Sequence, residues 1–394
     1  MEPTVRFPEF KDSWNNYSIE DIFDRVGTPV DLDDTQTYRE IGIRSHGKGI
    51  FHKEETTATE IGNKRVFWVE PGCFVVNIVF AWERAVAKTT ENENGMIASH
   101  RFPMYKPKKD IVDLDYITEY FITKRGQNVL ILASPGGAGR NKTLGQKEFA
   151  KSIVKLPSLP EQQKIAKFLL TVDTVIEKQR ETVFAWEERK KGVMQKLFSQ
   201  EIRFKADDGK TFPDWEEHKI KEFVTESKIP GHTGKEAKKL TVKLWAKGII
   251  PKEQILSGSE NTQYYIRHAG QLMYGKLDFL NCAFGIVPSE LDGYESTLDS
   301  PAFDIHGILD KFLLCYITRK SFYKKNGDIA NGSRKAKRIH PDVFGEMSIN
   351  VPCIPEQQKI ANCLSAFDDV IEKQKATLAA WEELKKGLLQ QMFV

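Results

Sequence analysis

At 394 residues the chain is longer than a single hydrophobic core usually serves, and 40% hydrophobic with 29% charged residues is an ordinary globular balance. A net charge of only +3 excludes a uniformly basic nucleic-acid coat, so any basic footprint has to be local. No stretch approaches the roughly 18 apolar residues of a membrane span. The opening MEPTVRFPEF lacks the layout of a signal peptide, and five cysteines without a CxxC pair read as reduced thiols rather than a disulfide frame or zinc site.

Residues 1–155 mix β-rich runs (RVFWVEPGCFVVNIVF) with helical stretches (LDYITEYFITK) and glycine-containing turns, the pattern of an α+β domain. Its basic and amide-bearing residues fall in three places. IRSHGKG supplies Arg44, His46 and Lys48; CFVVNIVFAWERA supplies Asn77, Trp82 and Arg84; GGAGRNK supplies Arg140 and Lys142. Arginine, lysine and asparagine beside small glycines let side chains reach phosphates and base edges. PGGAGRNKT is glycine-rich but lacks the spacing and strand–helix setting of a phosphate loop.

Residues 156–200 open with PEQQKIA, Pro160 to Ala166. Beyond it, Ile165, Leu169, Val172, Ile176, Gln179, Val183, Trp186, Lys190, Val193 and Leu197 recur at alternating spacings of four and three, the a/d seam of a coiled coil. Pro160 stands where a first helical turn tolerates proline, and Glu161 beside it suits the positive end of the helix dipole. The spacing predicts a helix of about 39 residues, about 58 Å long.

Residues 201–350 repeat the mixed pattern (GQLMYGKLDFL, ILDKFLLCYITRKSFY) and again place polar groups in loops. VKLWAKG, which aligns with IRSHGKG, offers Lys243 and Lys247. GQLMYGKLDFLNCA offers Tyr274, Lys276 and Asn281 as candidates for base or near-base contacts. NGSRKAKR holds Arg334, Lys335, Lys337 and Arg338, the densest cluster of cations singled out here and a candidate phosphate contact. DDGKT near Gly209 lacks the upstream glycine of a nucleotide loop, and neither G-x-G-x-x-G nor H-E-x-x-H occurs. Eight scattered histidines form no recurring constellation with acids.

Residues 351–394 return to PEQQKIA, Pro355 to Ala361, at an offset of 355 − 160 = 195. A second seam follows: Ile360, Leu364, Phe367, Ile371, Gln374, Leu378, Trp381, Lys385, Leu388 and Met392. Both seams are apolar except for the same glutamine and lysine, which are expected to select one register. The chain is thus a tandem duplication of a domain and a helical arm. Each arm could pack on its own domain. Alternatively the equivalent arms pack on each other as an antiparallel coiled coil with pseudo-two-fold symmetry and a globular unit at each end. Glu177, Lys178, Glu372 and Lys373 would then lie on an outward, dockable face.

LPxLPEQQKIA entering a long helix, twice and half a chain apart, resembles the specificity subunit of type I restriction–modification enzymes, as do GQLMYGKLDFLN and FPDWEEHKI. The resemblance spans the whole chain as target-recognition domain, helix, target-recognition domain, helix. It implies a non-catalytic, cytoplasmic reader of double-stranded DNA with a bipartite target. It further implies two modification (methyltransferase) subunits using S-adenosylmethionine, restriction (helicase-nuclease) subunits using ATP and Mg, no cofactor on this chain and no membrane. The first copy lacks the lysine of YGKL. A coiled-coil scaffold without DNA binding, an enzyme with an unrecognised site, and the reader of a related restriction system remain the alternatives.

Overall fold

The computed structural model describes residues 3–136, 142–234, 236–252, 261–327 and 338–393. Two compact units emerge, Met1–Thr182 with Gln374–Val394, and Val183–Lys373. Both mix sheet and helix.

In the first unit, Asn15–Ser18 pairs antiparallel with Ile153–Leu156, closing the domain just before the long helix Leu159–Phe198 begins. A four-stranded sheet runs in the order Phe23–Val26, Met104–Pro107, Phe74–Val76, Val86–Lys88. A five-stranded sheet holds the long hairpin Thr37–Ile43 with Ile50–Thr57 at its edge. Helix Leu114–Ile122 is capped by Asp113, whose carboxylate accepts the Tyr116 amide at 2.9 Å. Its buried face carries Tyr116, Ile117, Tyr120 and Phe121 into the core.

The second unit repeats the plan. Glu216–Lys219 pairs with Ser348–Val351, and four strands run Val224–Ser227, Ala302–Ile305, Leu272–Tyr274, Phe284–Ile286. Helix Asp310–Ile317 matches Leu114–Ile122. The second sheet diverges into a three-stranded piece and a separate hairpin, Leu240–Val242 with Ile249–Pro251.

The long helices are Leu159–Phe198 and Ile354–Met392, with Pro160 and Pro355 in their first turns. In each unit the helix start is anchored by a buried polar cluster. Glu161 is fully buried and receives Arg6 Nε at 2.7 Å and Nη2 at 2.8 Å. Glu356 is equally buried and receives Arg203 Nε at 3.1 Å, Arg203 Nη2 at 2.8 Å and Trp215 Nε1 at 3.1 Å. The next residue holds the domain. Gln162 accepts the Asp113 amide and donates to the carbonyls of Ile111 and Pro157, each at 3.0 Å. Gln357 accepts the Leu309 amide at 2.9 Å and donates to the Pro352 carbonyl at 2.8 Å.

The seam positions divide between two jobs. Ile165 and Leu169 belong to the first unit's core, as do Met392 and Phe393, whose ring lies 5.0 Å from Tyr116. Ile360 and Leu364 belong to the second unit's core together with Leu197 and Phe198, whose ring lies 5.6 Å from Phe312. Between these ends the arms pair. In the first unit, where Val172 and Ile176 are buried, Gln179 Nε2 donates to Gln374 Oε1 at 2.7 Å and to its carbonyl at 3.1 Å. There Lys385 meets Asp173 at 2.7 Å and Arg180 meets Glu382 at 2.6 Å. Leu378 and Trp381 are half-buried in the same unit. In the second unit Val183 and Ile371 are buried, the Trp186 and Phe367 rings lie 6.0 Å apart, and Lys190 meets Asp368 at 2.6 Å. Within each unit the two helical segments run antiparallel. Each arm therefore packs on a domain at its ends and on the other arm's segment between them.

Two outcomes follow. Gln179→Leu alone strands the Gln374 amide and should cost about 1–3 kcal/mol, whereas Gln179→Leu with Gln374→Leu should match or exceed wild-type stability. The double variant should also admit off-register species, visible as extra populations in light scattering after chromatography. Arg203→Ala leaves the Glu356 carboxylate buried and unpaired, a loss of about 3–5 kcal/mol, measured as a lower urea midpoint at unchanged slope.

Candidate nucleic-acid interface

The two hairpin loops that aligned in sequence are built the same way. In the first unit the loop leaves Thr37–Ile43 at Arg44, whose amide donates to the Gly49 carbonyl at 3.0 Å. In the second it leaves Leu240–Val242 at Lys243, whose amide donates to the Gly248 carbonyl at 2.9 Å. Each loop tip then turns left-handed and rests on a neighbouring turn. His46 (φ 63°) and Gly47 (φ 66°) donate to the carbonyls of Glu83 at 2.7 Å and Arg84 at 2.9 Å. Trp245 (φ 61°) and Ala246 (φ 52°) donate to the carbonyls of Asn281 at 2.8 Å and Cys282 at 2.7 Å. Left-handed backbone costs a non-glycine residue roughly 1–2 kcal/mol, and these paired bonds hold it in place. Gly47 cannot be larger, because a Cβ there would fall 2.7 Å from Ile122.

The tips expose what they carry. Arg44, His46 and Lys48 are exposed in the first unit, with the Arg44 guanidinium 4.7 Å over the Phe51 ring. Lys243 and Lys247 are exposed in the second, and between them Trp245 shows 56% of its surface. Trp245 is a candidate contact alongside the lysines. Its signal was present: an aromatic residue between two lysines, three residues before a glycine that ends the turn. An indole held outward on a fixed backbone, flanked by cations, can stack on a base while the lysines meet phosphates.

The remaining nominations build the seat rather than the surface. Asn77 is buried, and its side chain accepts the Val79 amide at 3.1 Å. Trp82 donates its indole N–H to the Val79 carbonyl at 3.2 Å. Arg84, itself left-handed, donates Nη1 to the Ile122 carbonyl at 3.0 Å. Asn281 donates its side-chain amide to Asp278 at 3.2 Å and lends its carbonyl to Trp245. Tyr274 is corrected outright as a base contact. It is fully buried, its ring stacks on Phe303 at 5.9 Å, and its hydroxyl donates to the Ile339 carbonyl at 3.0 Å. Lys276 keeps 8% of its surface and cannot reach into a groove. Lys142 is half-buried, and Arg338 lies 3.6 Å from Asp299. Arg140, Arg334, Lys335 and Lys337 lie outside the described residues.

A cleft of about 910 Å³ opens beside the first tip, lined by His46, Lys48, Arg84, Lys124, Arg180 and Lys385 among others. Its acids are partly committed: Asp173 to Lys385 and Glu382 to Arg180. Among the described residues no group of three or more His, Cys, Asp or Glu is placed to hold a metal ion. All five thiols are free, and burial pushes Cys73, Cys282 and Cys315 up to about 11. These three are far from thiolate chemistry at neutral pH. No described helix is long and apolar enough to cross a membrane.

Known proteins resemble this chain in sequence and in fold. The family model for the type I restriction modification DNA specificity domain matches residues 11–183. The type I restriction enzyme MjaVIII specificity subunit of Methanocaldococcus jannaschii is 25% identical, and the match spans 62% of this chain and 62% of that protein. The fold is similar to the HsdS subunit of Thermoanaerobacter tengcongensis, with a TM-score of 0.50 and 14% identity over 98% of this chain and 97% of that one. It is similar again to the type I restriction-modification S subunit of M. genitalium, with a TM-score of 0.56 and 14% identity over 100% and 99%. Residues 11–183 thus match the type I restriction modification DNA specificity domain, and the fold of the chain is similar to that of solved specificity subunits.

Proposed function

We propose that this chain is the DNA-reading subunit of a type I restriction–modification complex, each recognition domain taking one half of a bipartite duplex target. The observation that carries the reading is the pair of hairpin tips. One strained, doubly anchored scaffold occurs twice and presents different residues, Arg44-Ser45-His46-Gly47-Lys48 in one copy and Lys243-Leu244-Trp245-Ala246-Lys247 in the other. A retained frame with exchanged contact groups is what two unlike half-sites require. Cations at the tips supply sequence-independent attraction to phosphate, and the imidazole and indole supply the difference. The domains correspond to residues 1–155 and 201–350, and the arms to residues 156–200 and 351–394.

Methyl transfer in this reading belongs to two modification subunits that bring S-adenosylmethionine. ATP and Mg serve restriction subunits. The arms offer exposed Glu177, Lys178, Glu372 and Lys373 as parts of a docking face, and their length sets the unread spacer.

Trp245→Ala should weaken or relax choice in one half-site by about 1–3 kcal/mol, the worth of a stacked base, and His46→Ala should act on the other. Methylation-site mapping with modification subunits supplied reads both. Equal relaxation of the two half-sites by either variant would sink the assignment of one domain per half, and duplex binding indifferent to all tip cations would favour a scaffold. Inserting one heptad after Gln179 and another after Gln374 keeps the a/d phase and lengthens each arm by about 10.5 Å. The mapped target should then keep both halves and gain about three base pairs of spacer at 3.4 Å each. An unchanged spacer in a folded, active variant would remove the ruler role.

A further inference from the structure

Arg319 is fixed in place with its fork unengaged. It stands between helix Asp310–Ile317 and helix Lys320–Gly327 of the second unit. Its Nε donates to the Tyr316 carbonyl at 3.0 Å. Its guanidinium lies 3.8 Å from the centre of the Tyr316 ring and 4.3 Å from that of Phe198, the last residue of the first long helix. Among the described residues neither Nη makes a hydrogen bond or an ion pair.

Stability alone does not call for an arginine here. The equivalent helices start at Lys124 and Lys320, an offset of 320 − 124 = 196, which puts Thr123 of the first unit at the place of Arg319. Thr123 caps its helix, its hydroxyl accepting the Gly126 amide at 3.1 Å. A guanidinium carries donors only and cannot make that bond. The second unit forgoes this cap and gains a held cation.

That cation lines a cleft of about 980 Å³. The walls are apolar at Phe322 and Met347, both buried, and cationic at exposed Lys325. Ser348, another wall residue, lies in the strand that leads into the second long helix. The cleft therefore sits where the second domain joins its helices. Glu217, Asp342 and Glu346 share it, and among the described residues only Glu346 of the three is ion-paired, with Lys221.

We propose that this cleft is a docking groove for a modification subunit, entered by an extended segment whose carboxylate forks onto Arg319. A carboxylate is planar and meets a guanidinium with two parallel bonds. An arginine already set by stacking loses little freedom in making them. The three acids oppose duplex DNA, whose backbone is negative at every step. A polypeptide segment can instead bring one carboxylate to Arg319 and amide or basic groups to the acids, with apolar side chains against Phe322 and Met347. Position selects the partner, since a protein docked on the arms meets the cleft at their junction with the domain. This assignment rests on the complex proposed above and adds a contact that Thr123 cannot offer in the first domain.

Arg319→Gln and Lys325→Glu, each in the full chain, test the groove. Association and dissociation rates with purified modification subunits are measured, alongside thermal melting and duplex binding. Loss of the charge-assisted fork should weaken assembly by about 10-fold to about 100-fold, seen as faster dissociation. Reversing the rim charge should slow association and leave dissociation nearly unchanged. Should Arg319→Gln melt early, the association rate of Lys325→Glu decides. Wild-type association by Lys325→Glu, or wild-type dissociation by a folded Arg319→Gln, overturns the groove and leaves the complex intact. Loss of duplex affinity with unchanged assembly would give the cleft to DNA and overturn the groove equally. A wild-type chain that fails to assemble with modification subunits overturns the complex itself.

Discussion

Glu161 and Glu356 have almost no exposed surface, yet each sits in the first turn of a long helix with an arginine clamped across both oxygens. The arginines come from segments 155 and 153 residues earlier in the chain, near the start of each mixed domain. Gln162 and Gln357 add bonds to the backbone that leads into each domain's main helix. One short motif thereby joins the domain's entry, its interior helix and its outgoing arm. Neither carboxylate could be stripped of water here without the charge-matched fork, so the geometry of helix against domain is decided at this point. The heptapeptide PEQQKIA recurs because it has to perform the same union twice.

From that junction the arms carry a second polar code. Glutamine meets glutamine in the first unit, while a lysine meets an aspartate in each unit: Lys385 with Asp173 and Lys190 with Asp368. Apolar a/d residues would pack nearly as well if shifted by one heptad, whereas these partners would be lost. The copies are not identical in this respect. In the first unit Lys385 also approaches Glu119 at 3.5 Å, a carboxyl that burial raises above its ordinary pKa. The second unit has Cys315 near Lys190 and Asp368 instead. Register is shared, and the surroundings of each ion pair are free to differ.

The loop tips show the same division between frame and content. Turns 81–84 and 279–282 offer two carbonyls each to the loop tips, and those bonds do not depend on which side chain the tip bears. Residues such as Asn77, Trp82 and Asn281 are committed to keeping those turns in shape. A frame held by backbone atoms tolerates a histidine in one copy and a tryptophan in the other.

The sequence by itself determined the duplication, the two helices with their prolines in the first turn, and the identity of the seam residues, because a 3.5-residue period and an exact repeat are local patterns. It could not tell a seam residue that meets the other arm, such as Gln179, from one that enters a domain core, such as Ile165. The apolar period is the same whichever surface covers it. It likewise located the basic loops without ranking them. Tyr274 and Trp245 are both aromatic residues near a lysine and a glycine. Only the fold decides that one is sealed under Ile339 and Phe303 while the other points outward. That decision rests on carbonyls contributed by Asn281 and Cys282, far along the chain, and a bond between distant backbone atoms leaves no mark in the order of side chains.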